Sequence, residues 1–187
     1  MPYIQTIQPE DAEGQLQEIY ADLIKSRGKV ADVYKIQSLN PPSLLAHLEI
    51  YMKIMFGKSP LRRYQREMMA VVVSNTNQCP YCITHHAEAL KFFWKEEQRV
   101  AQLIEDYTQL DLSPTDQQLC QLAQKLTLQP NFAGKQSLLD DLRATGLDDR
   151  ALLDATLVIA YFNFANRLVL GLGVELEADG GTGYHYE

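Results

Sequence analysis

The clearest indication of the fold comes from residues 61–93, which read LRRYQREMMAVVVSNTNQCPYCITHHAEALKFF. The apolar run 68–73 could form a strand, but 61–76 contains no glycine or proline and exceeds the usual strand length of about 4–8 residues. We therefore predict a helix over 61–76. Residues 78–80 (QCP) break this helix, and because proline favours the first turn of a helix, a second one is predicted over 80–93.

The rest of the chain shows the same helical pattern. Capping residues, prolines at first turns and terminal glycines divide it into segments with apolar residues at three- and four-residue steps. No segment alternates for long enough to predict a sheet. We predict an all-α single domain over 1–178, followed by a flexible, glycine-rich tail over 179–187. The other predicted helices cover 9 to about 28, 44–56, 95–107, 114–129, 135–145 and 149 to 171 or 173.

Composition limits the possible partners. The chain has 187 residues, 46% hydrophobic and 22% charged, with a formal net charge of −7, which is typical of a globular protein. Without a basic stripe we expect no nucleic-acid partner. The longest uncharged run, 68–87, is interrupted by polar residues at 74–78, and the N-terminus lacks the basic and apolar regions of a secretory signal. We therefore expect no membrane partner and a cytoplasmic location, where thiols stay reduced.

The chemistry is expected at the cysteines. Cys79 and Cys82 have C-x-x-C spacing, which in a reducing compartment indicates a redox-active or metal-binding pair. Cys79 is predicted at the N-cap of the helix that Pro80 opens, where unpaired N–H groups and the helix dipole stabilise a thiolate. On a helical wheel Cys82 and His86 share the face of Cys79, whereas His85 points elsewhere. A histidine four residues after Cys82 can exchange a proton with its thiol.

Glu67 has two interpretations. It begins the apolar run, and its helix leads directly into the cysteine turn. It is either a carboxylate that is partly buried and needs a partner, or a solvated residue paired with Arg63 or Arg66.

Taken together, Glu67, Cys79, Cys82 and His86 form the pattern E-x(11)-C-x-x-C-x-x-x-H. With this pattern the chain resembles the alkylhydroperoxidase AhpD-like proteins of the carboxymuconolactone decarboxylase superfamily, in particular the branch of uncharacterised peroxidase-related enzymes. The segment 161–177 (YFNFANRLVLGLGVELE) also resembles the C-terminal helix of that branch.

The resemblance implies an all-α AhpD-like bundle that assembles as a homo-trimer or homo-hexamer and reduces hydroperoxides through its thiols. It implies that Cys82 attacks the peroxide, that Cys79 resolves the product to a disulfide, and that His86 with Glu67 relays the proton. No cofactor or metal is expected, and the electron donor is a dithiol or a thioredoxin-like or lipoyl group. Tyr81 stands where the best-studied type of member has a histidine, and tyrosine, with a pKa of about 10, is a poor base near neutral pH.

The residues and the resemblance differ over which sulfur reacts first. The N-cap position favours Cys79 as the thiolate, whereas the resemblance favours Cys82 beside His86. In either case we expect Cys79 and Cys82 to form a reversible disulfide, while Cys120, a small buried residue, stays a thiol.

Three classes of function are compatible with the sequence. The leading hypothesis is a thiol peroxidase or disulfide oxidoreductase that cycles its motif cysteines. The second is a zinc- or ligand-binding helical oligomer in which these cysteines and His85 or His86 do not cycle, although a closed zinc site usually has a fourth ligand. The third is a structural oligomer whose site has lost activity, with Tyr81 as the altered residue. An oligomer is also expected because 44–56 is apolar on most of its circumference.

Overall fold

Every regular element is a helix in residues 1–183, the part of the chain that the computed structural model describes. The predicted all-α fold is therefore confirmed, and residues 68–73 are helical rather than extended. Short 3₁₀ turns occupy Pro9–Asp11 and Tyr107–Gln109, and a π turn occupies Met52–Phe56. The α-helices are α1 (Gly14–Arg27), α2 (Asp32–Lys35), α3 (Pro41–Tyr51), α4 (Arg63–Thr76), α5 (Pro80–Trp94), α6 (Glu97–Asp106), α7 (Pro114–Leu128), α8 (Lys135–Ala144) and α9 (Asp149–Leu172).

Helix α4 lies at the centre of the fold. Every residue from 65 to 74 is buried, and a helix buried around its circumference needs neighbours on several sides. Helices α5, α7 and α9 surround it and form the main apolar core with it. Because Glu67 near the start of α4 contacts His86 of α5, these two helices make the hairpin that the break at residues 78–80 permits.

The start of the first helix differs from the prediction. Ala12 and Glu13 have extended backbone angles, so Pro9 belongs to a separate 3₁₀ turn and α1 begins at Gly14. The four-residue α2 lies in a stretch for which the sequence predicts no helix. The buried residues of α1 are those that its apolar spacing predicts, namely Leu16, Ile19, Tyr20 and Leu23.

The helix predicted over 44–56 consists of two parts. It begins earlier, at Pro41, because the Asn40 side chain accepts a hydrogen bond from the Ser43 N–H at 3.3 Å and caps the helix. After Tyr51 the α-helix continues as the π turn. Such turns change the direction of the side chains that follow.

Two smaller apolar clusters flank the main core. One joins α1 to α3 through residues such as Tyr20 and Leu44. The other surrounds the cysteine turn, so the motif lies where α2, α5 and the end of α9 meet. Its buried members are Ile36, Cys79, Tyr81, Cys82, Val169 and Val174.

Part of α3 remains uncovered. Leu44 and Tyr51 are buried, whereas Ile50 is 46% exposed. Leu157 and Phe164 of α9 lie next to Ile50 and are 39% and 46% exposed. We refer to Ile50, Leu157 and Phe164 as the α3/α9 face. It is an apolar surface of the kind that interfaces cover.

Within residues 1–183, α9 is the one helix that is long and apolar enough to cross a membrane by length and composition. Its apolar residues Val158, Ile159 and Phe162 are buried in the main core. Packing within the fold therefore accounts for these apolar residues.

The segment after α9 returns towards α1 and α5. Lys29 Nζ lies 2.5 Å from the Asp179 carboxylate, and Gly181 packs closely against the ring of His85. The flexibility predicted for 179–187 stays a prediction, and residues 184–187 lie outside the described part of the chain.

Candidate active site

A sharp turn joins α4 to α5 at the cysteine motif. Gln78 has a φ of 55°, which is uncommon for a residue other than glycine. The Cys79 N–H donates to the Ser74 carbonyl at 2.9 Å, and Cys79 is the N-cap of α5, as predicted. Pro80 takes the first helical position, where an N–H would have no intrahelical partner. Cys82 therefore lies in the first turn of α5.

The thiols of Cys79 and Cys82 shift each other's pKa in opposite directions. The Cys82 thiol lowers the pKa of Cys79; burial opposes this effect, and the Cys82 backbone N–H adds to it. The Cys79 thiol, together with burial, raises the pKa of Cys82 well above its usual range, although the Asn166 side chain opposes the rise. The two cysteines form no disulfide. Of the two, Cys79 is therefore the one that ionises more readily.

The two sulfurs also differ in their access to solvent. Cys79 is fully buried, whereas Cys82 lines a pocket together with Glu67 and His86. The thiolate favoured by the helix N-terminus and the thiol open to a substrate are thus different residues. This explains why the N-cap position and the family resemblance point to different cysteines.

Glu67 is a buried, ionised carboxylate with two partners. It is 0% exposed, its Oε2 accepts from His86 Nδ1 at 2.7 Å, and its Oε1 accepts from Arg63 Nε at 3.0 Å. Burial raises the pKa of Glu67, but His86 and Arg63 outweigh it, so the net pKa lies below its usual value. The solvated interpretation is wrong, although Arg63 is a partner as that interpretation expected. Arg66 instead donates to the carbonyls of Ile54 and Gly57.

His86 is held with its Nδ1–H towards Glu67, since an ionised carboxylate can only accept a hydrogen bond. Its ring packs edge-on against Phe162, with centroids 4.4 Å apart. Among the hydrogen bonds of residues 1–183, none joins the imidazole to either thiol. His86 and Cys82 are neighbours as walls of one pocket.

The walls of this pocket come from distant parts of the chain. α4 and α5 supply the motif residues, and α1, α2, α3 and α9 supply most of the remainder. Aromatic and basic side chains dominate these other walls. They include Arg27, Lys29, Tyr34, Tyr51, Arg63, Tyr161 and Phe162.

Comparison with known proteins supports the resemblance seen in the sequence. The sequence model of the carboxymuconolactone decarboxylase family matches residues 42–125, which contain α4, the cysteine turn and α5. An uncharacterized peroxidase-related protein with the AhpD core, from Ralstonia eutropha JMP134, has a TM-score of 0.87 at 20% identity, covering 96% of this chain and 94% of its own. An uncharacterized peroxidase-related protein from Silicibacter sp. TM1040 has a TM-score of 0.83 at 27% identity, covering 96% and 91%. The resemblance to the AhpD-like proteins of the carboxymuconolactone decarboxylase superfamily is confirmed.

This superfamily fold serves more than one activity. The debrominase Bmp8, in a structure with 2,3,4-tribromopyrrole, has a TM-score of 0.79 at 19% identity, covering 94% of this chain and 91% of its own. Such a likeness shows the fold alone. The resemblance therefore indicates an enzyme-related fold, and the reaction has to be argued from the site.

The site contains a second carboxylate–imidazole pair, which also involves Tyr81. Glu177 Oε2 lies 2.8 Å from His85 Nε2, and the Tyr81 hydroxyl donates to Glu177 Oε1 at 2.7 Å. The backbone N–H of Asp32 also donates to Glu177 at 3.0 Å. Burial raises the pKa of Glu177, but the His85 hydrogen bond and these N–H and O–H donors lower it to about 2. The Tyr81 hydroxyl is thus engaged with a carboxylate.

Sequence reasoning missed Glu177. The helical wheel correctly placed His85 and His86 on different faces of α5. A partner 92 residues away, however, cannot be identified from the spacing of neighbouring residues. The available signal was indirect: Glu177 is the last residue of the segment 161–177 that resembles the peroxidase-related branch.

The remaining sequence-based candidates are a zinc site and the thiol of Cys120. Within residues 1–183, no group of three His, Cys, Asp or Glu side chains could hold a metal ion, so the zinc interpretation lacks a ligand set there. Cys120 is fully buried in α7, and burial, with a smaller contribution from Asp116, raises the pKa of its thiol far above the usual range. A buried thiol of this kind is unreactive.

Glu177 should make the stability of the fold depend on acid pH. Its pKa is about 2 in the folded chain against the ordinary 4.5, so its contribution is complete above about pH 4.5 and is lost as the pH falls towards 2. We expect Glu177→Gln to be less stable than the parent at pH 6 and to lose less stability below pH 4.5. Urea unfolding midpoints at several pH values measure this. The exposed neighbour Glu175, as Glu175→Gln, should keep the slope of the parent, and equal slopes for Glu177→Gln and the parent would contradict the assignment.

Proposed function

We propose that the chain is a thiol-dependent peroxidase that reduces hydroperoxides through Cys82 and Cys79, with Glu67 and His86 as its proton relay. One observation carries the proposal: Cys82, three residues after Cys79, shares a pocket with a buried, ionised carboxylate that holds a histidine. The likeness to two peroxidase-related proteins supports it. A cytoplasmic location, where thiols are kept reduced, is part of the proposal.

The first step prepares the nucleophile. We assign the resting charge of the pair to Cys79 and the proton to Cys82, because the pKa of Cys79 is lowered and that of Cys82 is raised. Transfer of this proton from Cys82 to Cys79 leaves a thiolate on Cys82, the cysteine that lines the pocket. The thiolate is the reactive form of cysteine. The pair thus keeps its charge at the helix N-terminus until a substrate arrives.

The second step breaks the peroxide bond. The Cys82 thiolate attacks the terminal oxygen of ROOH, an S–O bond forms and the O–O bond breaks, which gives a sulfenic acid and an alkoxide. The alkoxide takes a proton from His86 and leaves as the alcohol. The Glu67 carboxylate stabilises the proton on the imidazole before this transfer. Tyr81 is engaged with Glu177, so the relay is assigned to His86.

The third step resolves the sulfenic acid. The Cys79 thiol attacks Cys82 Sγ, the S–S bond forms, and the hydroxyl leaves with a proton as water. A dithiol donor, of thioredoxin-like or lipoyl type, then supplies two electrons and two protons and is itself oxidised to a disulfide. Water and an alcohol are the products of each cycle.

A peroxide titration of the reduced protein tests this proposal. We expect one equivalent of hydrogen peroxide or cumene hydroperoxide to remove two thiols per chain and to leave Cys120 free. Thiol counting and peptide mapping should find the Cys79–Cys82 bridge. In Cys79→Ser the sulfenic acid should persist on Cys82, where dimedone traps it, while Cys120→Ser should behave like the parent. No loss of thiols, or a bridge to Cys120, would overturn the proposal.

Glu67 should matter for rate rather than for folding. Glu67→Gln keeps the size of the side chain but removes the charge that holds a proton on His86. We expect thiol oxidation by peroxide to slow by about 100-fold at neutral pH, the lower range of general acid–base assistance. His86→Ala should slow it similarly, and the double variant should be little worse than the slower single one. Stopped-flow thiol consumption gives the rates.

Glu177→Gln is the matched control for Glu67→Gln, because it removes the other carboxylate that contacts a histidine of α5. We expect it to react with peroxide at close to the parent rate. Circular dichroism establishes that all variants are folded. If Glu67→Gln consumed thiols as fast as the parent, Glu67 would have no part in the relay.

We also propose a homo-trimer or homo-hexamer assembled through the α3/α9 face. Its support is the exposure of three large apolar side chains side by side. Light scattering should give three or six times the chain mass of 21.3 kDa. Phe164→Glu should lower that mass, whereas Leu128→Glu, at a 68% exposed position of α7, should not. A monomer at micromolar concentration would end this proposal.

A further inference from the structure

The pocket above Cys82 carries positive charge in an otherwise acidic chain. The net charge of the protein is −7, yet within residues 1–183 the pocket is lined by Arg27, Lys29 and Arg63 against the single carboxylate of Glu67. Fixed charges of one sign in a cleft attract ligands of the opposite sign. The positive charge is therefore local to the pocket, because the protein as a whole is acidic.

Two of these cations are neutralised by carboxylates. Arg63 is paired with Glu67, and Lys29 Nζ lies 2.5 Å from the Asp179 carboxylate. Arg27 differs, since no carboxylate of residues 1–183 lies within 4.0 Å of its guanidinium. Its charge is available to an anion that enters the pocket.

Aromatic rings hold the Arg27 guanidinium in place. It lies 4.7 Å from the ring centre of Phe56 and 5.8 Å from that of Tyr51. Burial raises the pKa of Tyr34 and of Tyr51, and the charge of Arg27 opposes the rise in both. A planar guanidinium fixed against rings is well suited to bind a carboxylate through two parallel hydrogen bonds.

Arg27 also stands where the pocket meets an apolar groove. Arg27, Tyr34 and Tyr51 line both the Cys82 pocket and a neighbouring groove between α1 and α3. The other charged residues of the groove, Asp22, Glu49 and Lys53, are exposed. Its apolar walls are Ile19, Leu23, Leu45, Leu48 and Met52. A molecule with an apolar body and an acidic group finds both kinds of surface here.

We propose that Arg27 binds the carboxylate of an organic hydroperoxide, so that the substrates of this chain are amphipathic acids rather than neutral peroxides. The O–O group lies at Cys82, and the apolar body lies against Tyr34 and Tyr51. The inference rests on the proposed peroxidase function and adds to it the class of the substrate.

A pair of substrates that differ only in charge tests the inference. We use cumene hydroperoxide with a para-carboxylate and the methyl ester of the same compound. Arg27→Gln should raise KM for the acid by about 10- to 100-fold, the range of a lost charge-assisted hydrogen bond, and should leave KM for the ester unchanged. The KM of Arg27→Lys for the acid should lie between the values of the parent and of Arg27→Gln. Lys25→Gln removes the same charge from the exposed side of α1 and should resemble the parent.

The same comparison can overturn the inference. Arg27 also supports Tyr51 and Phe56, so its loss could disturb the pocket in general. In that case KM would rise equally for acid and ester, and Arg27 would be a structural residue only. Equal KM values of the parent for acid and ester would also overturn it.

A binding measurement separates this inference from the proposed function. Calorimetry on Cys82→Ser uses the unreactive alcohol that corresponds to the acidic hydroperoxide. We expect the acid to bind and its methyl ester to bind at least 10-fold more weakly, and we expect Cys82→Ser/Arg27→Gln to lose the preference. If the parent reduced neither hydroperoxide, the peroxidase proposal would fail, while this preference would still support an acid-binding site. Absence of any preference for the acid would overturn the site itself.

Discussion

The buried carboxylate of Glu67 is the constraint on which the rest of the site depends. A charge that is 0% exposed is strongly destabilising unless it is paired, and removal of one partner from a buried pair typically costs about 3–5 kcal/mol. Arg63 one turn earlier satisfies one oxygen, and His86 satisfies the other. Because His86 belongs to α5, the pairing holds α5 along α4. The hairpin in turn places the cysteine motif at the mouth of the same pocket.

The cysteine pair separates two requirements that a single thiol meets poorly. A low pKa is favoured at the helix N-terminus, where Cys79 is buried among apolar residues. Access to a substrate is favoured at Cys82, whose own pKa is raised. In the proposed mechanism, a proton transfer between the two sulfurs makes the accessible thiol reactive. C-x-x-C spacing at a helix start permits this division because it brings the N-cap and the first turn together.

In the proposed function, reactivity and selectivity come from different parts of this molecule. α4, α5 and their turn carry the thiols, the histidine and Glu67, whereas α1, α2 and α3 supply the aromatic and basic walls. The segment after α9 adds a third contribution, because Glu177 binds His85 and Tyr81 and so joins α5 to the start of α2. A fold organised in this way can combine one reactive hairpin with different walls. The debrominase Bmp8 and the peroxidase-related proteins share this fold.

The sequence by itself determined what depends on neighbours within a few helical turns. Helical periodicity identified the helices, Ser113 and Asp148 cap α7 and α9 as expected, and the C-x-x-C spacing after a helix break predicted the N-cap position of Cys79. The Glu67–His86 contact was also within reach, since a single hairpin separates the two residues. The tertiary structure alone decided the burial of Glu67, the Glu177–His85 pair, the difference in access between Cys79 and Cys82, and the position of Arg27 in the pocket. These features depend on how distant helices pack, and packing between residues far apart in the chain leaves no periodic mark on either segment.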